Sequence, residues 1–442
     1  MTQFRPSVAA AIVIANMIGT GVFTSLGFQL VEIQSAPVLL ALWAVGGLAA
    51  LCGALSYAEL GAALPRSGGE YNFLTEIYHP SAGFISGWVS ATVGFAAPTA
   101  LAAMTFGSYL SAVFPSLSAI WLATGLIVVL AVAHSRSHES SGSTQSLFTI
   151  LKILLILGFA SLALFFNQSG PDVRFTPISS DSGLLFSGAF AVSLIYVNYA
   201  YSGWNAATYI SGELSNPQRS LPWVLVGSTS LVCIAYLLLN YVFLAVAPME
   251  AMVGKVEVGY VAASYAFGDV GATIMGVLLS LLLISTVSAM ILAGPRVLQR
   301  IGEDFPVFRL LGRVNDDGIP ASAVLVQATV ALAFLWSASF DRILVFSGAT
   351  MALNTFFTVL GVFVLRRRQP QLMRPFRTWL YPIPPLVFLV ITGWTLLYIV
   401  LQRPVEAMIT AGIVVSGAAF YWLTERASRR FRNVHGDALG PS

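Results

Sequence analysis

The sequence predicts an all-α integral membrane protein of twelve transmembrane helices, arranged as a 5+5 inverted repeat plus two extra helices. Three observations predict it. Only 9% of the 442 residues are charged and 57% are hydrophobic, against about 25% charged in soluble domains. Apolar stretches of about 20 residues, enough to cross a hydrocarbon core, recur along the chain. The first and sixth of these stretches are interrupted by glycine and polar residues in mid-span.

In order, the spans read as 8–30, 37–63, 81–113, 119–134, 147–166, 183–212, 221–247, 269–295, 321–336, 342–364, 381–401 and 405–423. The first run follows Arg5, is too long for a signal-peptide core and shows no Ala-x-Ala cleavage site, so it is expected to stay as a span. Spans three and six exceed the membrane thickness and must tilt, bend or break. Pro98 predicts the bend in span three. The mixed segment 248–268 has room for a short interfacial helix. The expected organisation is one transmembrane domain over residues 1–423, with repeats at 8–166 and 183–364 and extra helices over 381–423. Residues 424–442 are expected to form a cytoplasmic tail, unstructured beyond Arg432, with no soluble domain appended.

The charges alternate between the loops. One side collects 17 of the 22 Lys and Arg residues, including Arg66, Arg296, Arg300 and the 366–377 group. The other side holds Arg174, Lys255, Arg342 and Arg403. The positive-inside rule then places both termini in the cytoplasm of a multi-pass cell (inner) membrane protein, with an even number of spans. Cys52 and Cys233 lie in apolar segments and read as packed thiols. His79, His134, His138 and His435 are scattered and fit no metal site. No phosphate loop, nucleophile elbow or paired-carboxylate pattern occurs. No cofactor, metal or nucleic-acid partner is expected, and no enzyme.

The first interrupted span reads Ala15-Asn-Met-Ile-Gly-Thr-Gly-Val-Phe23. Glycine in a helix interior costs about 1 kcal/mol relative to alanine. Two readings are open: a small-residue seam for a neighbouring helix, or a deliberate break. Span six carries a matching patch, Tyr196-Val-Asn-Tyr-Ala-Tyr-Ser-Gly-Trp-Asn205. Interrupted segments at corresponding positions of two halves point to a transporter binding site, and five spans per half force the halves into opposite orientation. A break exposes N–H groups where the second half starts, which attract a carboxylate. The first half ends in free carbonyls, which suit an ammonium. Together they match an α-amino acid zwitterion. The candidate substrate-binding residues are therefore Met17, Ile18, Gly19, Thr20 and Gly21 with Tyr199, Ala200, Ser202 and Gly203.

Lys152 lies a few residues inside span five, where insertion scales charge about 2.5–3.5 kcal/mol at a helix centre and less near an end. Either it snorkels to the interface, or it is a fixed cation that replaces a coupling ion or carries a proton. Ser285, Thr286 and Ser288 of span eight are its candidate partners; hydroxyls there either face it or bond back to their own helix. Tyr236 and Asn240, one turn apart in span seven, either line the same cavity or bridge helices. Glu59, ahead of Pro65-Arg-Ser-Gly-Gly-Glu-Tyr71, is a gate, a loop-ordering residue or a solvated helix end.

These stretches are similar to the amino acid permeases of the amino acid–polyamine–organocation superfamily. The chain most resembles the L-type amino acid transporter branch and its bacterial relatives, over roughly residues 6–425. The resemblance rests on Met17-Ile-Gly-Thr-Gly-Val-Phe23, on Pro65–Tyr71, on Lys152, and on Tyr199-Ala-Tyr-Ser-Gly-Trp-Asn205. It implies a leucine-transporter-type fold working by alternating access. It also implies that the N–H groups around Thr20 and Gly21 hold the substrate carboxylate, while the carbonyls of Met17, Tyr199 and Ser202 hold its amino group. The Tyr199 ring, where relatives often carry Phe, would gate the site. Tyr236 would shape the occluded site, and Lys152 would stand at a sodium position, implying sodium-independent transport. The loop Phe114-Pro-Ser-Leu-Ser118 lacks the cysteine that links animal members to a heavy chain, so no disulfide-linked heavy chain is expected. Ser202 replaces a frequent glycine. The expected substrate is a neutral amino acid. A cationic amino acid or polyamine carrier and a non-transporting sensor are the alternatives.

Overall fold

The computed structural model describes residues 5–136, 142–166, 170–305, 308–316 and 318–436. His138 lies outside these. All described elements are helical. Span one is two helices, α1 (Pro6–Met17) and α2 (Gly21–Gln29), followed by α3 (Ala36–Ala63). The short α4 (Glu70–Ile77) leads into α5 (Pro80–Val89), a π-helical turn over Ser90–Gly94, and α6 (Ala96–Val113). Next come α7 (Ala119–Arg136), α8 (Gly142–Phe166), α9 (Asp181–Leu185) and α10 (Gly188–Tyr201). A 3₁₀ segment over Ala206–Glu213 precedes α11 (Pro217–Val246), α12 (Met249–Met252) and α13 (Val258–Asp304). The chain finishes with α14 (Ala321–Ser337), α15 (Phe340–Arg368), α16 (Ile383–Gln402) and α17 (Pro404–Gly436).

Among the described residues, ten helical segments are long and apolar enough to cross a membrane. Two expected spans fall short by that measure: α14, with 17 residues, and α10, with 14, because the sixth span breaks after Tyr201. Proline at the first turn starts α1, α3, α5, α11 and α16, where its missing N–H is no loss. Pro98 acts as expected, since it has no N–H for the carbonyl of Gly94 and the π turn sits just before it. The 248–268 segment holds α12 and the start of α13, which bends at Gly268, where φ is +70°. At the far end α17 continues as helix to Gly436, past the Arg432 boundary expected for an unstructured tail.

The helices approach closely through small residues, as membrane helices do when dispersion rather than solvent exclusion drives packing. A Cβ on Gly46 of α3 would lie 2.2 Å from Val197 of α10, and one on Gly47 would lie 3.0 Å from the Tyr201 hydroxyl and 3.1 Å from Cys233 Sγ. Both cysteines are free and buried. At the arginine-rich end Glu59 is no solvated helix end. It is 1% exposed and takes both Nε (2.8 Å) and Nη2 (2.7 Å) of Arg366, with the Thr378 N–H at 2.8 Å. This clamp ties α3 to α15 and to the segment that enters α16. At the opposite end, the Ile178 N–H and the Ser35 hydroxyl, each 2.8 Å away, hold the Asp181 carboxyl below the usual carboxylate range.

Candidate functional site: two broken helices on one cavity

The helix of span one stops at Met17. Ile18 leaves helical geometry at ψ 82°, and the Gly19 N–H folds back onto Met17 O at 2.8 Å. Helix α2 restarts at Gly21. Among the described residues no acceptor reaches the N–H groups of Thr20, Gly21 and Val22, the orphan donors of a new helix start. In span six, α10 stops at Tyr201. Ser202 is extended, and Gly203 has φ +99°, a conformation that favours glycine. The chain resumes as a 3₁₀ helix and not as an α-helix.

The two breaks touch. A Cβ on Gly21 would lie 2.4 Å from Ala200 Cα, and one on Gly203 would lie 2.8 Å from Asn16 C. These glycines let the two backbones cross. Gly19 differs, since a Cβ there meets nothing nearer than 4.0 Å. Both readings of Gly-Thr-Gly thus hold, one residue each: Gly21 is a packing seam and Gly19 is an open approach.

A cavity of about 820 Å³ lies against the breaks. Met17, Gly19, Thr20, Gly21, Tyr199, Ala200, Ser202 and Gly203 all line it, and Ile18, 2% exposed, does not. Its wall includes the π turn (Ser90, Val93, Gly94), Thr286 and Met290 of α13, and Ser347 and Met351 of α15. It continues to Arg66, Arg296 and Arg300. Among the described residues those three arginines are the charged residues of the wall, and no carboxylate lines it.

Two of the three carbonyls expected to hold the amino group are engaged. Met17 O accepts from the Gly19 N–H and from the Tyr236 hydroxyl at 2.5 Å. Tyr199 O accepts from the Ser202 N–H at 3.0 Å and the Ser202 hydroxyl at 2.6 Å. Each has both lone pairs in use. No described donor reaches the carbonyls of Gly19 or Ser202. Tyr236 and Asn240 are not on the cavity wall. Tyr236 reaches in from behind, its hydroxyl also 3.2 Å from Ala200 O, so one side chain ties the last turns of α1 and α10. Asn240 Nδ2 bonds Tyr236 O at 2.8 Å. The Tyr199 hydroxyl lies 3.4 Å from Thr20 Oγ1, over the first break.

Lys152 is 4% exposed, so its ammonium is held inside the protein and does not snorkel. Of the three candidate hydroxyls it is Thr286 that it meets: Nζ donates to Thr286 Oγ1 at 3.0 Å. Thr286 in turn lines the cavity, with its Cγ2 4.0 Å from the Cβ position of Gly19. Ser285 is buried but off the cavity wall, and Ser288 Oγ lies 2.7 Å from His134 Nε2 instead. Ser285 and Ser288, three residues apart, lie within about 60° of each other around α13, whereas Thr286 lies about 160° from Ser288, because each residue turns the helix by about 100°.

Glu70 was not singled out by the sequence alone. It is fully buried, and its Oε1 accepts from the Tyr57 hydroxyl at 2.9 Å and, in a very short bond, from Asn205 Nδ2. Its Oε2 is buried and has no hydrogen-bond partner within bonding distance among the described residues. The Gly69 N–H bonds Thr208 O at 3.3 Å, and the Gly212 N–H bonds Ser67 Oγ at 2.9 Å. The 65–71 stretch therefore grips the resumed half of span six. Its glycines and carboxylate were the signal for this.

Two helices broken at one depth, backbone polar groups facing a cavity between them, and many apolar spans define a membrane carrier. Among the described residues no group of three His, Cys, Asp or Glu stands ready for a metal. The comparison with known sequences agrees, since the amino acid permease family matches over residues 5–422, and the chain belongs to that family. It is 27% identical over 426 residues to the b(0,+)-type amino acid transporter 1 of Mus musculus, covering 93% of this chain and 85% of that one. It is 28% identical over 386 residues to the serine/threonine exchanger SteT of Bacillus subtilis (strain 168), covering 86% of each. To the Asc-type amino acid transporter 1 of Mus musculus it is 28% identical over 442 residues, 94% and 79% of the two chains. The protein is a multi-pass membrane transporter for amino acids and not an enzyme.

Proposed function

We propose that this permease moves neutral α-amino acids by alternating access without sodium, as an exchanger or a proton-coupled carrier. Its site would read the backbone of the substrate. The N–H groups of Thr20 and Gly21 take the carboxylate, and the Gly19 and Ser202 carbonyls, which no described donor reaches, take the ammonium. The observation that carries this reading is the start of α2: the unbonded N–H groups of Thr20 and Gly21, on the wall of a cavity with no carboxylate among its described lining residues. A cationic side chain finds no counter-charge there, so a neutral one is favoured over a cationic amino acid or a polyamine. Lys152, bonded to Thr286, takes the place of a coupling cation.

The topology proposed with it is twelve spans, with α14 and the broken α10 added to the ten long segments, as two inverted five-span repeats plus two helices. Both termini lie in the cytoplasm of the cell membrane, and the cavity, which ends at the arginines, faces inward. The carrier works without a disulfide-linked heavy chain.

The test is uptake of a panel of radiolabelled amino acids into proteoliposomes with internal amino acid, pH and sodium varied separately. Neutral amino acids are expected to enter without sodium, and dependence on internal substrate or on a proton gradient identifies the coupling. A strict sodium requirement, or a preference for cationic substrates, overturns the reading. Lys152→Ala is expected to lower the uptake rate at least about tenfold, the effect of losing one charge-assisted hydrogen bond, with little change in melting temperature.

A further inference from the structure

Three aromatic rings stack together outside the cavity wall, on the arginine-poor side that holds Arg342 and Arg403. Phe28, in the last turn of α2, stacks on Tyr196 of α10 with centroids 6.0 Å apart, and on Phe340 at the start of α15 with centroids 5.4 Å apart. None of the three is on the cavity wall, which on α15 begins only at Ser347. The Ser25 hydroxyl donates to Tyr196 O at 3.3 Å and ties α2 to α10. Across the seam stand α15 and the α16–α17 connection. There the Tyr196 hydroxyl donates to Asp341 Oδ1 in a very short bond, and Arg403 Nη1 donates to Asp341 Oδ2 at 3.2 Å.

We propose that Asp341, aimed by Arg403, is the latch of the gate on the arginine-poor side: a positioning residue that holds Tyr196, and through its helix Tyr199, in the closed arrangement. Each carboxylate oxygen has one donor, so the pair fixes the direction in which Asp341 presents its charge. Tyr196 is 3% exposed, so its hydroxyl has no water to turn to when it leaves Asp341 while the seam stays closed. Tyr199 follows Tyr196 by three residues on α10 and so sits on nearly the same face. Opening this end parts Phe28 and Tyr196 from Phe340 and breaks one charge-assisted bond at the same moment. The Arg403–Asp341 pair itself is partly solvated and adds little as an ion pair; its contribution is aim. The latch's part in transport rests on the alternating-access reading above, whereas its effect on access does not.

The test uses the full chain in membrane vesicles of known orientation, with Ser347→Cys as a reporter for a membrane-impermeant maleimide. Ser347 is on the cavity wall whereas the buried Cys52 and Cys233 are not, and labelling of the chain without the reporter gives their background. Adding Tyr196→Phe or Asp341→Asn is expected to raise the labelling rate from the arginine-poor side about tenfold, the effect of one hydrogen bond to a charged group. The double substitution is expected to do no more than either single one, because both remove the same bond. Arg403→Gln is expected to give a smaller rise, and Asp341→Glu to restore slow labelling. In uptake, KM is expected to fall on the arginine-poor side and rise on the other, a split that general destabilisation does not produce. If Asp341→Asn does not fold, Tyr196→Phe carries the test alone. Unchanged labelling in the folded variants, additive effects, or KM shifts of one sign on both sides overturn the latch. Labelling that responds as expected in a chain that moves no amino acid upholds the latch and removes the transport reading instead.

Discussion

The two broken spans use the same kind of sequence for different ends. In span one the chain leaves the helix for three residues and restarts as an α-helix, with its first N–H groups open to the cavity. In span six the break is stitched up. Ser202 returns two bonds to Tyr199 O, the chain resumes as 3₁₀ helix, and Asn205 is held from outside by Glu70. One break leaves N–H donors unbonded on the cavity wall, and the other, apart from the Ser202 carbonyl, is largely held by its neighbours. Recognition and movement need different things from a backbone. A recognition element must keep polar groups unpaired yet shielded, while a moving element must satisfy its own groups so that it can shift without exposing them.

Substitutions at the crossing should damage the molecule most. Gly21→Ala drives a methyl group against Ala200 Cα, and backbone cannot yield as a flexible side chain does. Uptake is expected to fall to background, with an overpacking cost of about 1–3 kcal/mol in stability. Gly19→Ala has room, and is expected to leave the melting temperature nearly unchanged while raising KM. Equal stability losses at the two positions would erase the distinction between seam and approach.

Next in size is Glu70→Gln. It removes the charge from the bonds to Tyr57 and Asn205, an effect of about 1.5–3 kcal/mol, and is expected to slow turnover more than it raises KM. A change confined to KM would move span six to the recognition side of the comparison. The smallest effect is expected at Ser202→Ala. It removes a local side-chain bond to Tyr199 O, worth about 1 kcal/mol, and leaves the Ser202 N–H in place. A loss of uptake comparable to Gly21→Ala would show that the second break is not satisfied by its own backbone.

Much of this was legible in the sequence because hydropathy is a local property. The apolar runs located the ten long segments, Pro98 marked the bend in span three, and the glycines located both breaks. What was not legible depends on residues far apart in the chain. That Gly21 packs while Gly19 stays open is decided by Ala200, about 180 positions away. The period of α13 fixes how Ser285, Thr286 and Ser288 are spaced around the helix, but not which of them faces Lys152. Glu59 read equally well as a solvated helix end, because its partner Arg366 lies at the other end of the chain. Met17 and Tyr199 were expected to present free carbonyls. Side chains take up their lone pairs, the Tyr236 hydroxyl at one and the Ser202 hydroxyl at the other, each together with a backbone N–H.

The central claim is that span one recognises the carboxylate common to all α-amino acids through backbone N–H groups. The most direct measurement is competition in proteoliposomes between the best radiolabelled neutral substrate and three unlabelled forms of it: the free amino acid, its methyl ester and its N-acetyl derivative. The account predicts that the free amino acid competes and that the ester is at least about tenfold weaker, the loss of a charge-assisted hydrogen bond. The acetyl derivative is expected to be weakened too, through the loss of its ammonium. An ester that competes as well as the free amino acid would contradict the claim, because the N–H groups of α2 would then have no carboxylate to bind.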